Sequence, residues 1–73
     1  MTAEQMFKEL GYKKEEDENG IYYERQTELS DRYIGFDKEG KQILINGYRW
    51  FILGLELQKA IFQQSKDLGW LDD

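Results

Sequence analysis

The fold is decided by residues 19–47, which read NGIYYERQTELSDRYIGFDKEGKQILING. Two pairs in this stretch, Asn19-Gly20 and Asn46-Gly47, are typical of tight hairpins, because Asn and Gly both tolerate the positive φ of type I′ turns. Asp37-Lys38-Glu39-Gly40 predicts a four-residue turn with its glycine in the left-handed conformation, and Glu28-Leu29-Ser30-Asp31 predicts a further turn. The pattern therefore predicts an antiparallel β-meander.

The segments between these turns are rich in β-branched and aromatic residues, which favour strands. They predict strands at the following positions: 12–16, which pairs back across Asn19-Gly20, and 21–28, 32–37, 41–45 and 48–52. Alternation along a strand places Ile34 and Phe36 on one face, and it places Ile43 and Ile45 on one face of the next strand.

Helix signals precede the meander. Residues 2–5, TAEQ, have the form of a capping box, in which the Thr2 and Gln5 side chains satisfy free backbone N–H groups at a helix start. Gly11 ends this helix, and Tyr12 folds back onto Phe7 in the Schellman arrangement. The apolar residues recur at spacings of three and four and share one face: Ala3, Met6, Phe7 and Leu10.

A second helix follows the meander and begins near Gly54 or Leu55. Residues 66–70, KDLGW, repeat the ending of the first helix, residues 8–12, KELGY, with a cation, a leucine, a glycine and an aromatic residue. We interpret this as two uses of one helix stop, because the intervening sequence is dissimilar. The stripe that faces the sheet consists of Leu57, Ile61, Gln64 and Leu68, with Ala60 beside it.

These elements predict an α+β fold with an N-terminal helix, an antiparallel β-meander of three to five strands and a C-terminal helix, in two layers. Both helices lie on one face of the sheet, because that arrangement covers both apolar stripes. The other face can remain in contact with water. Residues 1–73 are expected to form a single small α+β domain, since this length leaves room for one core.

The composition lacks side chains that many functional classes need. The 73 residues contain no His and no Cys, which excludes disulfides, zinc sites of the usual ligand types, thiol nucleophiles and an imidazole base. No phosphate-loop, dinucleotide-glycine or Gly-x-Ser-x-Gly pattern occurs. We therefore expect no catalytic residues, no cofactor and no metal, and a hydrolase that uses carboxylates alone is only a third hypothesis. The acidic run Glu15–Glu18 lacks the ligand spacing of a calcium loop and is interpreted as a solvated loop.

The charge balance bears on partners and location. Ten Lys and Arg against fifteen Asp and Glu give a formal net charge of -5, and binding to nucleic-acid phosphates depends on Lys and Arg. We therefore expect no direct nucleic-acid contact. The longest apolar run, residues 50–53, is far shorter than the roughly 20 residues of a membrane span, and no secretory signal opens the chain. The expected location is cytoplasmic, with no membrane partner.

Aromatic residues suggest a protein interface. Arg, Tyr and Trp are enriched at the energetic centres of interfaces, and residues 48–51 read YRWF beside a predicted turn. The candidate interface residues are Tyr22, Tyr48, Arg49 and Trp50. The alternative reading is that Trp50 and Phe51 cover the core, since aromatic side chains dominate burial in small domains.

Both ends of the chain show a resemblance to known sequences. Residues 1–14, MTAEQMFKELGYKK, and residues 67–71, DLGWL, resemble a group of short uncharacterised proteins encoded in phages and prophages of Gram-positive bacteria, a family of unknown function. The resemblance implies a phage-related, cytoplasmic protein. It carries no activity and no functional residues onto this chain.

The first functional hypothesis is a phage-type accessory protein that acts as a non-enzymatic protein–protein interaction module, with a homodimer as one expected form. The motivation is an abundance of aromatic residues, the absence of catalytic side chains and the thin stability of a small domain. The alternative is an acidic inhibitor that mimics nucleic acid on a host protein, since a surface rich in carboxylates resembles a phosphate field. Residues Glu15–Glu18 are the basis of that alternative.

Overall fold

The first helix begins at the predicted capping box. The structure is a computed structural model that describes residues 1–26, 31–47 and 53–71, and its first helix, α1, spans Ala3–Glu9. The Gln5 N–H donates to the Thr2 hydroxyl at 3.2 Å, and the Thr2 N–H donates to Gln5 Oε1 at 2.9 Å. Both halves of the capping box are therefore confirmed.

The first helix also ends as predicted. Gly11 has a φ of 91°, and its N–H donates to the Lys8 carbonyl while the Tyr12 N–H donates to the Phe7 carbonyl. These are the two hydrogen bonds of a Schellman motif. The Tyr12 ring then packs edge-on against the Phe7 ring, with 5.7 Å between centroids.

Four strands follow and form one antiparallel sheet in the order β1-β2-β3-β4. Their bounds are Lys13–Glu16 for β1, Gly20–Gln26 for β2, Asp31–Asp37 for β3 and Gln42–Asn46 for β4. The predicted meander is thus confirmed for the described part of the chain. The predicted strand at 48–52 and the predicted turn at 28–31 lie outside the described residues, apart from Asp31 at the start of β3.

The turn at Asn19-Gly20 uses a different mechanism from the one predicted. Neither residue has a positive φ, so the type I′ assignment is wrong. Instead, the Asp17 carboxylate accepts hydrogen bonds from the N–H groups of Asn19 and Gly20 at 2.8 and 2.9 Å. A carboxylate that bonds to the backbone two and three residues on stabilises a turn without a left-handed residue.

The turn between β3 and β4 also differs from the prediction. The left-handed residue is Lys41, with a φ of 51°, and Gly40 has no positive φ. A Cβ atom at Gly40 would lie 2.7 Å from an oxygen of the Asp37 carboxylate. A side chain at position 40 would therefore require the Asp37 carboxylate to move, and the positive φ falls on the residue after Gly40.

The second helix, α2, spans Leu55–Asp67 and follows Gly54 as its N-cap. It ends as predicted: Gly69 has a φ of 77°, and the Trp70 N–H donates to the Ser65 carbonyl at 3.0 Å. Trp70 then packs on Phe36, with 6.1 Å between ring centroids. Both glycine stops are therefore confirmed.

The core lies between the sheet and the two helices. Tyr23 of β2 is fully buried; its ring stacks on Phe7 of α1 with 3.7 Å between centroids, and its hydroxyl donates to Gln64 Oε1 of α2 at 2.5 Å. Burial raises the pKa of Tyr23 well above its ordinary value, so the phenol remains a donor. The remaining buried members of the cluster are Tyr12, Ile21, Ile34, Phe36, Leu57 and Ala60. The predicted α+β fold in two layers is confirmed.

We expect Gln64→Leu to lower the free energy of unfolding by about 1–3 kcal/mol, because the Tyr23 hydroxyl would remain buried without an acceptor. Adding Tyr23→Phe should restore most of that loss, since both polar groups are then gone. Urea unfolding of the two single variants and the double variant measures the coupling.

Gln63→Leu is the matched control, because the Gln63 amide bonds to the exposed Asp67 carboxylate. If Gln64→Leu lowered the free energy of unfolding no more than Gln63→Leu does, the Tyr23–Gln64 hydrogen bond would not contribute the stability assigned to it.

Candidate functional site

An apolar groove lies between β4 and α2, on the face of the sheet that carries the helices. It has a volume of about 350 Å³. Six large apolar side chains line it: Ile43, Ile45, Leu53, Ile61, Phe62 and Leu71. Gln58 and Ser65 complete the described lining. The groove thus presents an apolar surface with neutral polar groups and no charged side chain among the described residues that line it.

The register between β3 and β4 determines which β4 side chains form one wall of the groove. Ile45 lies opposite Ile34, and Ile43 lies opposite Phe36, so both pairs point to the helical face. The β3 members are fully buried, whereas Ile43 and Ile45 are 37% and 44% exposed. Among the described residues, the inner side chains of β4 are therefore less fully covered than those of β3.

The wall on the α2 side ends in an exposed aromatic ring. Phe62 is 60% exposed, whereas its neighbour Ile61 is partly buried against the core. Leu53 and Leu71 at the ends of the groove are 37% and 48% exposed. Single exposed apolar residues are common, whereas these side chains all line one groove.

Tyr22, one of the predicted interface residues, lies on the opposite face of the sheet. Its ring stacks with that of Tyr33, with 5.8 Å between centroids, and both rings cover Gly35, where a Cβ atom would come within 3.1 Å of Tyr22 Cδ1. Partial burial, followed by the neighbouring Tyr22, raises the pKa of Tyr33. Tyr22 is half-buried in this packing, and its ring covers Gly35 in the sheet.

The other three predicted interface residues, Tyr48, Arg49 and Trp50, lie outside the described residues, and their assignment stays a prediction. Sequence reasoning did not find the groove. One signal was available, because Phe62 falls off the stripe that faces the sheet and is therefore an apolar residue on the exposed side of α2. The partial exposure of the inner side chains of β4 depends on how the helices pack on the sheet, and it has no signal in the sequence.

The acidic run Glu15–Glu18 has local structural roles. Glu16 bonds to Lys38 at 2.9 Å and lies 3.5 Å from Lys14. Asp17 is the turn carboxylate between β1 and β2. Two of the four carboxylates therefore serve the fold, and Glu15 and Glu18 are exposed. Nucleic-acid mimicry by this run stays a prediction, and the contacts of Glu16 and Asp17 do not favour it.

Comparison with known proteins does not identify a family for this chain. No family model, no curated protein and no solved structure matches this chain. The resemblance of the chain ends to phage and prophage proteins therefore stays a prediction.

Within the part of the chain that the structure describes, no helix is both long and apolar enough to cross a membrane. Residues 1–26, 31–47 and 53–71 also contain no group of three or more acidic side chains placed to hold a metal ion.

Lys38→Met should raise the pKa of Glu16 toward its ordinary value. The hydrogen bond and charge of Lys38, followed by the charge of Lys14, hold the pKa of Glu16 below that value in the folded protein. A depressed pKa contributes stability above the unfolded-state pKa, and this contribution is lost as pH falls through the folded-state pKa. Carboxyl NMR titration of the wild type and the variant measures the shift.

Lys59→Met is the matched control, since Lys59 pairs with Glu56 on α2. Equal Glu16 titration curves in wild type and Lys38→Met would contradict the assigned ion pair.

Proposed function

We propose that this protein is a non-enzymatic protein–protein interaction module whose groove between β4 and α2 binds the same groove of a second copy. The observation that carries the proposal is the contiguous apolar lining, in which Phe62, Leu71 and Ile45 are 60%, 48% and 44% exposed. Interfaces have an apolar centre and a polar rim. Gln58 and Ser65 supply neutral polar groups in the lining itself.

Shape supports a second copy as the occupant. The groove combines an aromatic ring that is 60% exposed, Phe62, with a lining that includes Ile43, Ile45 and Leu71. A two-fold dimer brings the same patch of both subunits together, so a surface needs both a projection and a recess to match itself. Phe62 of each copy would enter the recess of the other.

Charge supports the same occupant. Each chain carries a formal net charge of -5, so two copies repel one another over most of their surface. The described lining of the groove contains no charged side chain. The described lining therefore places no carboxylate at the centre of a contact between two copies.

Size is compatible with a dimer. A standard interface buries about 800 Å² of each partner, a fraction of the 5557 Å² accessible surface of this chain. Self-association also suits a small domain, because it adds buried apolar area that a short chain cannot obtain alone. The interface would bury the parts of Ile43 and Ile45 that remain exposed on the inner face of β4.

We expect the wild-type protein to sediment as a dimer at micromolar concentration. Phe62→Glu should weaken the dimer by about 30-fold or more, because burying a phenylalanine side chain is worth about 2 kcal/mol and a carboxylate in the recess adds repulsion. Analytical ultracentrifugation over a wide concentration range measures both dissociation constants.

Leu44→Glu provides the matched control. Leu44 is 54% exposed and lies between Ile43 and Ile45 on the same strand, but it points to the opposite face of the sheet. This variant should keep the wild-type dissociation constant. A wild type that stays monomeric at every concentration, or a dimer that Leu44→Glu disrupts and Phe62→Glu does not, would overturn the proposal.

A further inference from the structure

The chain contains two asparagines, Asn19 and Asn46, and a glycine follows each of them. Glycine has no side chain, so its backbone nitrogen can approach the side-chain carbon of the preceding asparagine more closely than other residues allow. Attack of this nitrogen on that carbon closes a succinimide ring and releases ammonia, which is one reason why asparagine is a thermolabile residue. Each Asn-Gly pair is therefore reactive wherever its backbone can reach the attacking geometry.

Hydrogen bonds hold the peptide group between Asn19 and Gly20 from both sides. The Gly20 N–H, which contains the attacking nitrogen, donates to the Asp17 carboxylate at 2.9 Å. The Asn19 carbonyl accepts from the Lys38 N–H at 3.0 Å. Ring closure would have to turn this peptide group and break both bonds. The negative charge of Asp17 also opposes loss of the proton from the nitrogen that it binds.

The surroundings of Gly20 restrict the same movement. Gly20 is buried, and as the first residue of β2 it lies opposite Asp37 of β3. A Cβ atom at Gly20 would collide with the carbonyl oxygen of Phe36. The backbone is thus packed closely against β3, and the attacking geometry at Asn19 requires this end of the β2–β3 ladder to open.

Asn46 occupies a different position in the sheet. It lies opposite Tyr33 at the last paired position of β4, so Gly47 follows the end of the strand. Both asparagines are exposed, and exposure therefore does not distinguish them. The difference lies in the attacking residue, because Gly20 belongs to a paired strand and is bound to a carboxylate, whereas Gly47 lies beyond the end of its strand.

We propose that Asn46 is a site of spontaneous deamidation in the folded protein and that the structure protects Asn19 from the same reaction. The Gly47 nitrogen forms a bond to the side-chain carbon of Asn46, and the side-chain amino group leaves as ammonia with the proton of that nitrogen. Water then opens the succinimide at either carbonyl. The products are aspartate and isoaspartate, which carries an additional methylene in the backbone.

Both products change the end of β4. Each product adds one negative charge to a chain whose formal net charge is -5, and isoaspartate also lengthens the backbone directly after Ile45. Asn46 is not among the described residues that line the apolar groove. The modification is therefore independent of the proposed self-association.

The test is peptide mapping by mass spectrometry during incubation of the wild-type protein in mildly alkaline buffer, with a parallel sample unfolded in guanidinium chloride. Chromatography separates the asparagine, aspartate and isoaspartate forms of each peptide. In the folded protein, we expect Asn46 to convert about tenfold or more faster than Asn19, because the hydrogen bonds around Asn19 must break before its ring can close. In the unfolded sample the two rates should converge.

Asp17→Ala tests the protection of Asn19, because it removes the acceptor of the Gly20 N–H. This variant should speed the conversion of Asn19 by about tenfold and leave the rate at Asn46 unchanged. Glu18→Ala is the matched control, since it removes an equal charge from the residue next to Asn19. It should leave both rates nearly unchanged.

Gly47→Ala tests the chemical mechanism, because a methyl group at this position hinders the approach of the backbone nitrogen. Conversion of Asn46 should slow strongly in this variant, whereas direct hydrolysis of the side-chain amide by water would continue at the wild-type rate. The proposal is overturned if Asn19 converts as fast as Asn46 in the folded protein, or if Asn46 reacts only in the unfolded sample. Equal Asn19 rates in Asp17→Ala and Glu18→Ala would overturn the protection assigned to Asp17.

Discussion

The stacking of Tyr23 on Phe7 is the contact on which the rest of the structure depends. With 3.7 Å between ring centroids, it fixes α1 over β2, and the Tyr23 hydroxyl fixes α2 through Gln64. One buried side chain of the central sheet thus holds both helices. Because the chain contains no Cys and no His, this aromatic and polar contact replaces the disulfide or zinc site that supports many small domains.

The same contact determines what the helices leave uncovered. Tyr23 is on β2, so the two helices are anchored over the middle of the sheet, and the described side chains of β4 are covered less fully than those of β3. Ile34 and Phe36 of β3 are fully buried, while their cross-strand partners Ile45 and Ile43 remain partly exposed. The apolar groove therefore follows from how two short helices are anchored on a four-stranded sheet.

Local sequence signals predicted the parts of the fold that local chemistry determines. The capping box at Thr2 and the glycine stops at Gly11 and Gly69 are short-range hydrogen-bond patterns, so the sequence was sufficient to locate them. The turn mechanisms were wrong where competing local groups decided the outcome, namely the Asp17 carboxylate and the left-handed Lys41. The groove could not be predicted, because it is built from segments that only tertiary packing brings together.

The central claim is that the partly exposed Ile43 and Ile45 of β4 and the exposed ring of Phe62 on α2 meet their counterparts on a second copy. The most direct measurement is an isotope-filtered NOE experiment on an equal mixture of labelled and unlabelled protein, which detects only contacts between copies. The account predicts contacts from the Phe62 ring of one copy to the methyl groups of Ile43 and Ile45 in the other. The absence of contacts between copies, or contacts confined to Leu44 on the opposite face, would contradict it.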